Sequence, residues 1–482
     1  MVSSGGGDVN RAGGRKEEMT GRDTLLGLLP ASMREVTERL ASAFASQGHE
    51  LYLVGGSVRG LLLGQPVADL DFATDAEPAA TKVAGQEAQP DSIYTVGEKF
   101  GTVGFVFGEH LVEITTYREE FYPTPDRRPT VSHTTDITGD LSRRDFTVNA
   151  MAIDAHTGKV VDPFKGHEDL ERRVIRAVGN GADRFREDPL RILRALRFIA
   201  QLDFELDHDT LLAMRDMAPE LERISRERIA SEMNRLLIAP AGPRALALMH
   251  EAVVLPHILP EIVPMAEDTG EGRHKDIWQH TLRVVDQSPP RLPVRWAALL
   301  HDAAKPMTRS LDESGEVHFF GHERVGAGLA RRTLRRLKQE RALIDRVSQL
   351  VELHLRPAGY DESWTDSAVR RLVFESGDLL DDLLDLVAAD VTSARADRQR
   401  EAARRIQMLR EHIDRLREQH ELDQLQSPLD GNELMQIFQR PPGRWIGDLK
   451  DHLRDMVLDG TLASGDKTAA LKEARQWMDE QA

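Results

Sequence analysis

The sequence predicts an α+β chain, a head built on a small mixed sheet with helices followed by an all-helical remainder. Two observations carry this. Between about residues 29 and 165, short apolar runs are cut by glycines, as in "LYLVGG", "DLDFAT" and "FTVNAMAID", the pattern of strands joined by turns. From about 166 onward the apolar residues fall at helical spacing, in "EDPLRILRALRFIAQ", "DTLLAMRDMAPELERI" and "RERIASEMNRLLI".

Taken in order, residues 1–28 are Gly-rich and charged and lack the apolar core of a signal peptide, so they read as a disordered leader. "SMREVTERLASAFASQ" has the apolar period of a helix and precedes the first strand, "LYLV". "TVGFVFGEHLVEITTY" reads as a hairpin, two alternating runs joined by Gly108, Glu109 and His110. A charged, glycine-containing break at 264–276, "PMAEDTGEGRHKD", opens a histidine-bearing helical section. From Ala396 to Gln424, Ile406, Leu409, Ile413 and Leu416 form one stripe of a long, otherwise charged helix. The last segment, "SPLDGNELMQIFQRPPGRWIGDLKDHLRDMVLDG", joins short helices through Pro441, Pro442 and Gly443. The expected division is a leader (1–28), head (29–165), helical neck (166–268), helical body (269–395) and helical tail (396–482).

Composition narrows the classes. A chain of 482 residues holds about three domains at roughly 150 residues each. No apolar run approaches the roughly 18 residues of a membrane span. With no cysteine, neither disulfide partners nor thiolate metal sites are available, which suits a reducing cytoplasm. The net charge of -17 argues against indiscriminate nucleic-acid binding, while leaving room for a local basic groove.

The chemistry begins at "LYLVGGSVRGLLLGQPVADLDFAT", residues 51–74. In a strand, residues i and i+2 share a face, so Asp69 and Asp71 project together. Unpaired they repel; a shared divalent cation removes that repulsion, and all-oxygen ligation suits Mg²⁺ bound jointly with phosphates. Gly55 and Gly56 let backbone amides approach a phosphate, and Arg59 follows one helical turn later. The bland alternative is a strand-to-helix turn and two solvated aspartates.

With "RRDFTVNAMAID" (143–154) and "REDPLRILRALRF" (186–198), the stretches "GGSVRG" and "DLDFAT" resemble, in order and spacing, the class II tRNA nucleotidyltransferase and bacterial poly(A) polymerase family. The resemblance runs from about residue 50 onward and is strongest over 50–200. It implies that Gly56 and Arg59 hold a triphosphate and that Asp69 and Asp71 hold Mg²⁺. It makes Glu113, in "HLVEITTYR", a third acidic position that activates the RNA 3′-hydroxyl or completes the metal site; the other reading is an outward-facing polar residue of an alternating strand. It makes Arg144 a nucleotide contact with Asn149 near the sugar, against the alternative of an Asp145 cap flanked by solvated Arg143 and Arg144.

Asp188 and Arg191 lie three apart and so adjoin on a helix face, with Arg194 and Arg197 continuing the stripe. Cytosine and adenine both present an exocyclic amine beside a ring-nitrogen acceptor. An aspartate accepts from the first and an arginine donates to the second. Uracil and guanine reverse both groups and leave the pair unsatisfied. The resemblance implies that Asp188 and Arg191 select C and A in this way without a template. Pro189 suits a first helical position and makes Asp188 a plausible N-cap as well. Arg194 and Arg197 either meet the ligand or hold the helix.

Downstream, His280, the adjacent His301 and Asp302, His322, His354 and Asp390 occur on apolar helices. Their order resembles the HD phosphohydrolase domain that some tRNA nucleotidyltransferases carry. It implies a site for Mn, Fe, Ni or Mg on His280, His301, Asp302 and Asp390, with His322 and His354 for a second metal, and hydrolysis of a phosphate ester. "HDAAKP" has Ala304 where the commoner pattern has glycine. The tail resembles the part of these enzymes that contacts the tRNA elbow. Arg440, Arg444 and Lys450 either meet phosphates there or are ordinary surface charges.

The function expected from the resemblance is transfer of CMP and AMP from CTP and ATP to a tRNA 3′ end, with release of pyrophosphate. Its rivals are a poly(A) polymerase, an enzyme adding only CC or only A, an HD-type phosphohydrolase with a nucleotide-binding head, and a noncatalytic RNA-binding protein.

Overall fold

The computed structural model describes residues 25–121, 130–133, 136–267, 276–391, 396–419 and 425–481. Residues 1–24 of the expected leader lie outside these. Two compact units are present, one running to Arg191 and taking back Phe204–Asp216, the other made of Ile192–Asp203 and everything from Met217. Among the described residues no helix is long and apolar enough to cross a membrane.

The first unit opens with α1 (Ala31–Ser46) and β1 (Leu51–Val54), followed by α2 (Gly56–Leu62), β2 (Leu70–Thr74) and α3 (Pro78–Glu87). Next come β3 (Ser92–Tyr94), β4 (Thr102–Phe107) and β5 (His110–Thr116), then a two-stranded ribbon of β6 (Arg118–Phe121) and β7 (Thr130–His133). After α4 (Ile137–Ser142), strands β8 (Ala152–Asp154) and β9 (Val160–Val161) complete a seven-stranded sheet in the order β3-β4-β5-β2-β1-β8-β9. It is mixed: β2 and β5 are parallel and the other neighbours antiparallel. The expected hairpin is β4–β5, closed by Gly108 and Glu109, with His110 already paired to Phe107. Gly108 has φ +58°, a conformation glycine adopts without cost.

Period-two alternation assigns the two faces. Ile153, Leu53, Phe72, Ile114 and Val103 form one cross-strand row, fully buried on the side of α1 and α3. On the opposite face, Val54, Ala73 and Ala152 pack with Tyr117, Ile137, Leu141 and Val178. That second core covers the β2–β1–β8 end, while Leu111 and Glu113 on β5 stay exposed.

This unit continues past residue 165, the end expected for the head. After α5 (Gly166–Arg172), β10 (Val174–Ile175) pairs in parallel with β11 (Glu205–Leu206), and Phe146 bridges to Ala177. The chain between includes α6 (Gly181–Glu187) and α7 (Leu190–Leu202), and α8 (His208–Met217) follows.

The second unit is helical. Helices Ile277–Gln287, Leu292–Leu300, His322–Arg336, Arg341–Leu353 and Leu380–Ala389 pack on one another around Trp296, whose indole N–H donates to Asn234 Oδ1 at 2.8 Å. The helix Ala396–Glu418 buries Ile406, Leu409, Ile413 and Leu416 as its stripe requires. The C-terminal helices enclose their own core of Leu434, Trp445, Leu449, Leu453 and Ala474.

Gly85 on α3 lies flat against the Phe105 ring, where an added Cβ would sit 2.2 Å from ring carbons. Replacing it by valine gains some helix propensity but overpacks a closed interface. Gly85→Val therefore lowers stability by about 2 kcal/mol, read as a fall in denaturation midpoint.

Candidate functional site

The three acidic positions are electrostatic neighbours, Asp71 feeling the charge of both others. Asp71, on β2, pairs in register with Glu113 on the parallel strand β5, and Asp69 lies two residues before Asp71 on the approach to β2. Burial raises the Asp71 carboxyl above its ordinary value, the charges of Glu113 and Asp69 add to that, and Arg144 alone opposes it. Like charge gathered in this way around a largely buried carboxyl would be relieved by a bound cation. The same register carries on to Gly104 and Tyr94, and the Tyr94 hydroxyl lies 3.5 Å from Glu113 Oε1.

The opposite side of the cluster is cationic. Gly55 has φ +69°, which directs the backbone from β1 into α2. A Cβ there would lie 3.1 Å from Arg144 Nη1, so the guanidinium rests on the turn. Gly56 begins α2, and Arg59 donates to Asn149 Oδ1. Asn149 in turn donates to Asp145 at 3.0 Å. Asp145 therefore does not cap a helix; it fixes the residue that fixes Arg59. Arg144 Nε is buried and has no hydrogen-bond partner among the described residues, as expected of an anion cradle.

Asp140, within the short helix α4, was not singled out from the sequence. Its carboxylate is buried and accepts from Arg143 Nη2 at 2.6 Å and Arg144 Nη2 at 3.1 Å. Burial alone would raise its pKa, but the two arginines outweigh that and hold it below the ordinary carboxylate value. The clue was the i, i+3 and i, i+4 spacing to Arg143 and Arg144.

Asp188 lies at the junction of α6 and α7, and its Oδ1 accepts from Leu190 N at 3.1 Å. Arg191 is buried and donates to Glu187 at 2.7 Å, to the carbonyl of Arg184 at 3.3 Å and to that of Arg143 at 2.8 Å. Arg197 is also buried and donates to Glu232 at 2.6 Å and Gln201 at 2.8 Å. Arg194 stacks over Phe198 at 5.5 Å.

In the helical unit all six histidines and aspartates meet in two groups of three, His280, His301 and Asp390, and Asp302, His322 and His354. Within each group the ligand atoms lie within 4.8 Å of one another. His301, His322 and His354 each direct Nδ1 to the carbonyl three residues earlier, at 2.9, 2.7 and 2.7 Å. That bond sets the tautomer and turns Nε2 toward the centre, the usual support of a metal-binding histidine. Asp302 Oδ1, His322 Nε2 and His354 Nε2 are buried without a hydrogen-bond partner among the described residues. Burial disfavours charge on His301, yet Asp302 and Asp390 prevail and push it up to about 10. Burial and then the neighbouring His301 bring His354 down to about 4. The centre needs positive charge, supplied by a proton or by a cation, and its donor set fits a divalent ion. Lys305 adds an ion pair to Asp302 at 2.6 Å. Ala304 has φ -91°, so alanine serves where the commoner pattern has glycine.

In the tail, Arg440 and Arg444 are exposed, with Arg440 over the Trp445 ring at 5.6 Å. Lys450 lines a pocket of about 300 Å³ with Arg454, Phe374 and Asp451.

Comparison with known proteins follows this division. Residues 51–176 match the poly A polymerase head domain, 203–265 the probable RNA and SrmB-binding site of polymerase A, and 277–419 the HD domain. An A-adding tRNA nucleotidyltransferase of Deinococcus radiodurans is 33% identical over 89% of this chain and 95% of its own. A CCA-adding enzyme of Enterococcus faecalis is 33% identical over 86% of this chain and 90% of its own. The crystal structure of the Bacillus stearothermophilus CCA-adding enzyme in complex with CTP superposes with a TM-score of 0.70 at 28% identity, covering 94% of this chain and all of that one.

Asp140→Asn removes the counter-charge of two partly buried arginines and costs about 3 kcal/mol of stability. Because the folded carboxyl titrates below its usual 3.8, the wild-type advantage is complete above about pH 4 and fades as pH falls through the folded pKa. Thermal melts of both proteins from pH 7 to pH 3 should draw closer toward the acid end.

Proposed function

The chain belongs to the family of tRNA nucleotidyltransferases and poly(A) polymerases, and from that premise we propose that it adds CMP and AMP from CTP and ATP to the 3′ end of tRNA, releasing pyrophosphate. The observation that carries the reading is the Asp69, Asp71 and Glu113 cluster facing the Arg59 and Arg144 cradle at the Gly55 turn. A divalent cation, Mg²⁺ in this proposal, would be held by Asp69 and Asp71 and would neutralise charge on the triphosphate during in-line transfer at the α-phosphorus. The chain's own groups do the rest. The Gly56 amide, Arg59 and Arg144 hold the triphosphate and draw charge toward the leaving pyrophosphate. Glu113 either takes the proton of the RNA 3′-hydroxyl or joins Asp69 and Asp71 as a ligand, and both uses require its carboxylate to stay turned toward Asp71.

Asp188 and Arg191 choose the base in this proposal. Asp188 accepts from the helix backbone through Oδ1, and its carboxylate takes the exocyclic amine of C or A. Arg191, clamped by Glu187 and two carbonyls, offers a fixed donor to the ring nitrogen. In the helical unit, the two donor groups around His301 and Asp302 support a divalent-metal site with phosphohydrolase chemistry as a second activity. The exposed Arg440 and Arg444, with Lys450, are proposed tRNA phosphate contacts.

Incubating the protein with tRNA lacking its last three nucleotides, tRNA ending in CC and an unrelated oligonucleotide, with each NTP separately, tests the reading. CMP added twice and then AMP once is expected. AMP on the CC-ending tRNA alone would make it an A-adding enzyme, and long A tails on the oligonucleotide a poly(A) polymerase. Asp71→Ala abolishes incorporation in every arm.

Asp188→Ala lowers discrimination of CTP over UTP at least about tenfold, the scale of one charged hydrogen bond, measured as a ratio of kcat/KM values. Replacing His322 and His354 together by alanine reduces metal content, read by elemental analysis of protein dialysed against Mn²⁺, and leaves CMP addition intact.

A further inference from the structure

We propose that Tyr94 is a positioning residue for the transfer reaction, holding the Glu113 carboxylate through its hydroxyl on the side from which the RNA 3′-hydroxyl arrives; the inference rests on the nucleotidyltransferase reading above. The argument starts from register. Tyr94, Gly104, Glu113 and Asp71 occupy one row across four neighbouring strands. Side chains in such a row share a face, so Tyr94 is two strands from Glu113 with Gly104 between them. Any side chain at Gly104 would block the path. A Cβ there would fall 2.0 Å from Tyr94 Cζ, which means that the ring lies flat across the glycine and carries its hydroxyl to within 3.5 Å of Glu113 Oε1. That separation is longer than the roughly 2.5–3.0 Å of a settled O–H···O bond, and catalytic hydrogen bonds commonly shorten when substrate closes the site.

The row also has a direction. The anion cradle of Gly55, Arg59 and Arg144 lies at the β1 side of the carboxylates, which marks where pyrophosphate leaves. Phosphoryl transfer places the attacking and leaving oxygens roughly in line, so the attacking hydroxyl enters over β5, β4 and β3. Tyr94 stands on that approach. Glu113 is exposed there, and an exposed carboxylate beside Asp71 swings away from like charge unless a donor restrains it. Gly104 and Tyr94 together supply the restraint.

Tyr94→Phe keeps the ring and removes the donor. With tRNA lacking its last three nucleotides and saturating Mg²⁺, kcat for CMP addition falls about tenfold, while KM for CTP and the denaturation midpoint stay within twofold and 2 °C of wild type. Gly104→Ala, which lifts the ring, lowers kcat to a similar extent. Unchanged kcat in Tyr94→Phe overturns the proposal, as does a loss confined to Tyr94→Ala and expressed as a higher KM for tRNA, which would make the ring a base-stacking surface instead. Wild type and Asp71→Ala run in parallel: if neither incorporates nucleotide, the nucleotidyltransferase reading itself fails, whereas an active wild type matched by Tyr94→Phe sinks only the role of Tyr94.

Discussion

The head is organised around one electrostatic conflict, the pairing of Asp71 and Glu113 on adjacent parallel strands. Strands lie roughly 4.8 Å apart, and two unit charges at that distance repel by about 3 kcal/mol at an effective dielectric of 20. Asp69 adds to the repulsion, and burial adds a further penalty at Asp71. A protein that needed only a stable sheet would place apolar or oppositely charged residues there. Retaining the conflict suits the cation binding proposed for this row. The cationic groups stand off to one side, where the proposed triphosphate would meet them.

That separation depends on Asp140. Arg143 and Arg144 are drawn to a buried carboxylate three and four residues earlier, which keeps Arg144 at the Gly55 turn and away from full pairing with Asp71. Arg59 is held in the same manner through Asn149 and Asp145. The helical unit meets the inverse problem. There the histidines are the movable groups, and backbone carbonyls at i-3 fix each ring. In both centres, groups that would touch a ligand are immobilised by groups that do not, and this preorganisation spares the ordering cost when the ligand binds.

Much of this was legible in the sequence, because local signals carried it. The glycine turn, the aspartates two apart, the hairpin and the order of the six metal-type residues are all short-range patterns, although Asp69 falls just before β2 and not on it. Asp140 was legible in principle, since its spacing to Arg143 and Arg144 is helical, but "ITGDLSRR" is too short a helix for periodicity to stand out. Tyr94 was not legible. Its relation to Glu113 runs through two strand registers and a glycine between them, and register is a tertiary fact. The continuation of the first unit past residue 165 was not legible for a similar reason, because β10 and β11 pair across some thirty residues of largely helical chain, a contact that no window on the sequence contains.

Asp188 shows why a residue can carry two readings that do not compete. Its role in starting α7 is visible in the bond from Leu190 N to Oδ1, and that bond is what a base-reading role would need. A carboxylate on a free side chain samples several rotamers and loses entropy on binding; one already tied to a helix start is held in a set direction. Arg191 is restrained more tightly still, by Glu187 and by carbonyls on two different segments. Proposed base selection without a template demands this rigidity, because a flexible pair would turn to satisfy uracil or guanine. The capping and clamping bonds are therefore the means by which two ordinary side chains could take the place of a complementary strand.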